Sequence, residues 1–522
     1  MIKLKLKLII LIGIVLLISN TTNAQISAKE VDKLVENAMS KFYVAGVAVA
    51  IVKDGEIVHS KGYGVKSVET KEKVNEHTQF SIASNSKAFT TAALSILVDE
   101  GKLSWTDKVI DYIPEFRMYN PYVTENFIIQ DLLSHRSGLG LGAGDLMFFP
   151  DGNNFTIDDV LTVYQYFKPE SPFRTKFSYN NLLYIVAGEI ISEVSGLSWE
   201  EFVKIRIIEP LNMDNSYSSL SQIIDRGNLA TPHSTIDNEL VAISQYDDMV
   251  NGAAAGIYAN VDDLTIWMLV QLNNGKYGDS LEKELFSEYS QREMWKIHTT
   301  LNPSRSPRNN SHFAGYGLGW GLSDNNGNMI VSHTGGMPGM LSKTVLIPDL
   351  NLGVVVLTNT SDGGAGVFAS VSNTIVDSYL GLEDNEWVDK YSTYFNKRQK
   401  IGDSITMQVW ETVNTADDDH INPEDYIGVY NDIWFGKVEV YLRDYQLWFR
   451  SYRSPKLTGP MYYYKANTFA IKWEYQDMNA DAFAIFSLDE EGKTQSIKMK
   501  GISPNIDFSF DFQDLDMKRV AD

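Results

Sequence analysis

The chain has 522 residues, no cysteine and a formal net charge of −22 at pH 7. Without cysteine there is neither a disulfide framework nor a thiol nucleophile, and an acidic surface repels nucleic acid and anionic membrane, which are held by clustered Lys and Arg. The eight histidines are scattered, with no His-x-His or His-Glu-x-x-His pair, so neither a metal nor another cofactor is expected.

Residues 1–24 read as a secretory signal peptide. Lys3, Lys5 and Lys7 precede the apolar run Leu8 to Ile18, and Thr22-Asn23-Ala24 offers small residues for cleavage before Gln25. That run of 11 residues is too short for a membrane span, which needs about 20. A periplasmic or secreted protein with no stable membrane span is expected. Residues 45–63 form a β-hairpin pattern around Asp54-Gly55, a dipeptide suited to a tight turn.

In "FSIASNSKAFTTAALSILVDEGKL" (80–103), Ser84-Asn85-Ser86-Lys87 opens a helical pattern that stops at Gly101. A serine there sits where helix N–H groups favour developing negative charge, and Lys87 lies on the same face about 5–6 Å away. Ser84 as a plain N-cap is the competing reading. Ser280-Leu281-Glu282-Lys283 repeats the spacing among charged residues and reads as a solvated turn, so the spacing alone decides nothing.

Tyr179-Asn180-Asn181 stands just before the helical pattern 182–196, and a further helical pattern covers 261–275; each closes on glycine. "YGLGWGL" (316–322) and "MIVSHTGG" (329–336) read as strands separated by "SDNNGN", and 341–360 as a hairpin around Pro348-Asp349. Strands at both ends with helices between them predict an α+β domain over 25–382, the first hairpin joining the late strands in one antiparallel sheet. The charged, poorly periodic stretch 383–420 reads as a linker. Within it, Asp417-Asp418-Asp419 lacks the glycine and distal glutamate of a calcium loop. From 421 to 522, short aromatic-rich runs between turn residues predict a small antiparallel β-barrel or sandwich, whose inward rings more often fill the interior than line a cavity.

Ser84/Lys87, Tyr179/Asn181 and His333-Thr334-Gly335, in this order, resemble the penicillin-recognising serine hydrolases, especially the class C β-lactamase-like branch with its esterases, D-aminopeptidases and D,D-carboxypeptidases. The resemblance runs over about 40–380 and includes "DLLSHRSGL" (131–139), "PLNMDNS" (210–216) and "AAAGIYANVDDLTIW" (253–267). It implies an antiparallel sheet flanked by helices plus an all-helical subdomain, with the site between them. It also implies Ser84 as nucleophile, Lys87 and Tyr179 as its basic partners, Asn181 and Thr334-Gly335 as substrate-binding elements, and an oxyanion hole from the N–H groups of Ser84 and Gly336. The C-terminal region resembles the lipocalin-like β-domain often appended to such hydrolases. That domain either shapes specificity with a loop at the site or helps assemble a homo-oligomer.

Ser84 needs a base, and Lys87 or Tyr179 could accept its proton only after a downward pKa shift from about 10. His333 stands where familiar β-lactamases carry lysine. Histidine is mostly neutral at pH 7.5, which weakens the β-lactamase reading and predicts that activity follows His333 ionisation. His135, in "LLSHRSGL", reads as a hydrogen-bonded buried histidine. The expected function is hydrolysis of a small peptide, amide or ester, D-amino-acid peptides among them, through a Ser84 acyl-enzyme. The alternatives are an esterase or weak class C-type β-lactamase and, from another class, a non-catalytic penicillin-binding-like sensor or scaffold.

Overall fold

The computed structural model describes residues 25–236, 239–247, 250–418 and 420–520. Residues 1–24, read in the sequence as a signal peptide, and Asp419 of the triple-aspartate run lie outside the described residues. After helix α1 (Ala28–Phe42), closed by a Ser27/Glu30 capping box, come β1 (Gly46–Lys53) and β2 (Glu56–Gly64), joined by the Asp54-Gly55 turn. Helices α2 (Ser86–Asp99), α3 (Leu182–Ser195) and α4 (Val261–Leu272) belong to the long middle region. Six further strands follow: β3 (Thr299–Leu301), β4 (Ala314–Tyr316), β5 (Gly321–Asn325), β6 (Asn328–Met337), β7 (Met340–Ile347) and β8 (Leu352–Thr358).

These strands form one antiparallel sheet in the order β2-β1-β8-β7-β6-β5-β4-β3. The first hairpin thus pairs with the late strands. β1 is buried along almost its whole length, which is why "GVAVAIV" runs apolar without alternation. Val47, Val49 and Ile51 pack towards α1 and helix α5 (Ser361–Tyr379), while Ala48, Ala50 and Val52 face the larger helical core.

Two sequence expectations are corrected. In "YGLGWGL" Tyr316 ends β4 and Gly321-Leu322 open β5, but residues 317–320 are the turn between them, because Gly317 N–H bonds to Trp320 O and Gly319 adopts a φ of +78°. A Cβ on Gly319 would sit 3.0 Å from Lys87 O, so the turn lies directly on α2. The expected linker holds a 28-residue helix, α6 (Trp387–Asn414). Its apolar stripe is narrow. Val388, Tyr391 and Phe395 pack under the sheet, whereas Val409, Trp410 and Val413 pack on the barrel, so the overall composition stays polar.

The barrel comprises β9 (Gly428–Asp432), β10 (Gly436–Arg443), β11 (Gln446–Ser451), β12 (Thr458–Lys465), β13 (Thr468–Ile471), β14 (Ala482–Leu488), β15 (Thr494–Gly501) and β16 (Met517–Arg519), closed by β9 against β16. Tyr426, Tyr430, Phe469 and Phe486 interlock inside it, with Tyr426 and Phe469 rings 4.8 Å apart. Among the described residues, no single helix is long and apolar enough to cross a membrane.

Candidate active site

Ser84 lies in a 3-10 turn (Ala83–Asn85) leading into α2. Ala83 before it takes a left-handed φ of 49°, a strained conformation held by surrounding contacts. Ser342 of β7 donates to Ile82 O and accepts from Asn85 Nδ2, pinning the turn to the sheet. Gly335 of β6 passes so close that a Cβ there would meet Ile82 O at 2.2 Å.

Lys87, the second residue of α2 and one turn beyond Ser84, is wholly buried. Its Nζ lies 3.0 Å from Ser84 Oγ, 2.7 Å from Asn181 Oδ1 and 3.0 Å from Ala254 O. Burial pushes its pKa down to about 7, against the opposing pull of Asp145. A neutral amine satisfies this geometry: two N–H bonds go to Asn181 and Ala254, and the lone pair accepts from the Ser84 hydroxyl.

The Tyr179 ring centre is 4.9 Å from Lys87 Nζ, and Tyr179 faces the same cleft as Ser84. Burial raises the Tyr179 pKa. Tyr179 is therefore a neutral phenol, and of the two candidate bases the shifts favour Lys87. Asn180 supplies the acceptor for Leu183 N–H at the start of α3, which leaves the Asn181 side chain free for the site.

His333 corrects the expectation of a titrating histidine. Its Nδ1 is 2.6 Å from Thr334 O and its Nε2 is 2.8 Å from the Tyr316 hydroxyl, so one neutral tautomer satisfies both nitrogens. Burial first, then the Lys87 charge, pushes its pKa down to about 3. His135 is buried, accepts Asn180 N–H at Nδ1, and packs its ring 4.2 Å from that of Tyr179. Ser280, by contrast, is an exposed turn residue.

Ser84, Tyr179, Asn181, His333, Thr334 and Gly336 line one cleft of about 400 Å³. Gly335 instead packs against Ile82 O and Ser342. Phe148, Phe149 and Met337 supply apolar walls. Three contributors were missed in the sequence. Tyr316 lay inside a supposed strand; Asp145 lay in "GAGDLMFFP", where a lone carboxylate in an apolar run was the available signal. The third, Asp507-Phe508-Ser509, comes from the barrel's β15–β16 connection and lines the same cleft. Among the described residues, no three or more His, Asp or Glu side chains gather as a metal site.

A beta-lactamase family model matches residues 31–370. The chain belongs to the beta-lactamase family. That family consists generally of serine hydrolases, and a second model, a domain of unknown function (DUF3471), matches 416–519. Among curated relatives of this family member, the unguisins hydrolase ungD' of Aspergillus campestris is 26% identical over 72% of this chain and 69% of the relative. Protein flp of Staphylococcus aureus is 28% identical over 64% of this chain and 63% of that protein. The octameric penicillin-binding protein homologue from Pyrococcus abyssi aligns with a TM-score of 0.58 and 20% identity, covering 94% of this chain and all (100%) of that one. A penicillin-binding protein from Bacillus halodurans aligns at 0.54 and 22% identity, covering 65% and 99%.

Proposed function

We propose that this family member is an exported serine hydrolase that cleaves a small peptide, amide or ester, D-amino-acid peptides among them, through an acyl-enzyme on Ser84. The observation carrying this reading is the buried Lys87 amine, hydrogen-bonded to the Ser84 hydroxyl and driven towards its neutral form. Lys87 takes the Ser84 proton as Oγ attacks the carbonyl carbon. The N–H groups of Ser84 and Gly336 hold the oxyanion. On collapse, Tyr179 gives its proton to the departing nitrogen or oxygen and regains one from Lys87; water then repeats the sequence to release the acid. Export rests on residues 1–24.

Peptide or amide cleavage is favoured over β-lactam hydrolysis because, among the described residues, no Lys or Arg lines the cleft and His333 is neutral, leaving no cation there for a substrate carboxylate. The unguisins hydrolase among the relatives agrees with a hydrolytic activity. The barrel's ring-filled interior argues against a sensor whose ligand sits inside it. Intact-mass analysis after exposure to a fluorophosphonate tests the reading. One adduct is expected on the wild type and none on Ser84→Ala; no adduct on either would refute an activated Ser84. Turnover of matched amide, ester and cephalosporin substrates then separates the substrate classes.

A further inference from the structure

The barrel reaches the Ser84 site through a continuous set of hydrogen bonds. Ser509 Oγ donates to Asp145 Oδ2 at 2.9 Å, although the two residues are 364 positions apart. Asn181 Nδ2 donates to the same oxygen at 2.8 Å, and Asn181 Oδ1 accepts from Lys87 Nζ at 2.7 Å. Asp511, two residues beyond Ser509, accepts the N–H groups of Gly144 and Leu146 at 2.7 and 2.9 Å, clamping the turn that carries Asp145.

An amide side chain has two nearly isosteric ends, and only its partners determine which faces the lysine. If Asn181 were flipped, its N–H₂ would meet the Lys87 donors and its oxygen would meet the Asp145 carboxylate. Asp145 forbids that orientation, and Ser509 fixes Asp145. We propose that Asp145 and Ser509 are positioning residues through which the barrel loop orients the Asn181 amide and sets the proton affinity of the Lys87 amine.

This inference rests on the Ser84 reading above. Its electrostatics involve the surrounding groups as well. Burial raises Asp145 to about 8, opposed by its bonds from Asn181 and Ser509 and by the Lys87 charge, while Asp507 raises it further. Asp511 and Asp145 disfavour each other's ionisation, and the Asp145 charge also raises Tyr164. Around Lys87 stand His135, His333, Tyr179 and Tyr184, all shifted towards their neutral forms. Where Asp145 carries its charge it raises the Lys87 proton affinity, and the Ser509 hydroxyl is what the barrel adds in favour of that charge.

The test uses the full chain and its Ser509→Ala, Ser509→Thr, Asp145→Asn and Asp145→Asn/Ser509→Ala variants. The pH dependence of kcat/KM on p-nitrophenyl acetate and the rate of Ser84 phosphonylation by a fluorophosphonate are both measured. Ser509→Ala and Asp145→Asn are each expected to lower the plateau kcat/KM by about ten-fold, because the Asn181 amide loses its fixed orientation, and to move the acid limb to lower pH, because less anion faces Lys87. Ser509→Thr restores both quantities, and the double variant is no worse than Asp145→Asn alone. Should Ser509→Ala fail to fold, Ser509→Cys keeps the volume and weakens the donor. A Ser509 variant with wild-type rate and limb, or additive losses in the double variant, overturns the inference while Ser84 labelling leaves the hydrolase reading standing. A wild type that neither labels nor turns over overturns both.

Discussion

The Lys87 amine lies 3.0 Å from the Ser84 hydroxyl in a wholly buried position, and burial brings its pKa to about 7. The active form carries the unprotonated amine, so kcat/KM is expected to fall as pH drops below about 7 and to level off above it. Lys87→Met should lower kcat/KM by about 10²–10⁴-fold at pH 8, the range of general-base contributions. A pH–rate profile with no acid limb near neutrality would remove Lys87 from that role.

The same lysine costs stability. An unfolded chain holds the Lys87 proton up to about pH 10.4, whereas the folded chain releases it near 7. Between these values the unfolded state binds more protons, so this group's contribution to stability rises with pH; below about 7 both states are protonated and the penalty is constant. Lys87→Met should therefore melt several degrees higher than the wild type at pH 7 while losing activity. An unchanged or lower melting temperature would mean that the amine is well compensated by its three hydrogen bonds.

Tyr179 is a neutral phenol whose proton is available to a leaving group. Tyr179→Phe should lower kcat by about 10²-fold on amides and alkyl esters, which need a protonated leaving group, and much less on p-nitrophenyl esters. The acid limb should stay in place, since it belongs to Lys87. Equal losses on both substrate types would point to a role in geometry alone.

The main sheet was legible because β1 and the late strands are β-rich runs bounded by turn dipeptides, and α3 because its apolar period ends at Gly196. The motif residues came with the resemblance, each occupying a local pattern visible in one stretch of chain. What escaped depends on long-range packing. "YGLGWGL" has strand-like residues, but its glycines serve a turn seated on the Lys87 carbonyl, a contact no local pattern encodes. Helix α6 buries one narrow stripe against two different partners, so its periodicity was diluted by charge. Asp145 and Ser509 meet across 364 residues.

His333 has both ring nitrogens paired and stays neutral over the working range. His333→Asn should leave the acid limb unmoved and lower kcat/KM by less than about ten-fold through the lost Tyr316 hydrogen bond. A limb that shifts in this variant would restore His333 as a titrating participant.

Arg453 ties the barrel to the hydrolase region. Its guanidinium bonds both oxygens of Asp159, at 3.1 and 2.5 Å, and lies 3.9 Å above the Phe155 ring. Bidentate pairing and ring stacking reinforce each other here, so Arg453→Ala should cost about 1–2 kcal/mol of stability. Because the loop carrying Ser509 belongs to the same barrel, activity should fall as well. Denaturant unfolding gives the first quantity and kcat/KM on an ester the second. Lower stability with unchanged kcat/KM would show that the loop stays seated in the cleft without Arg453, and would assign its placement to Asp511 and its two backbone N–H bonds.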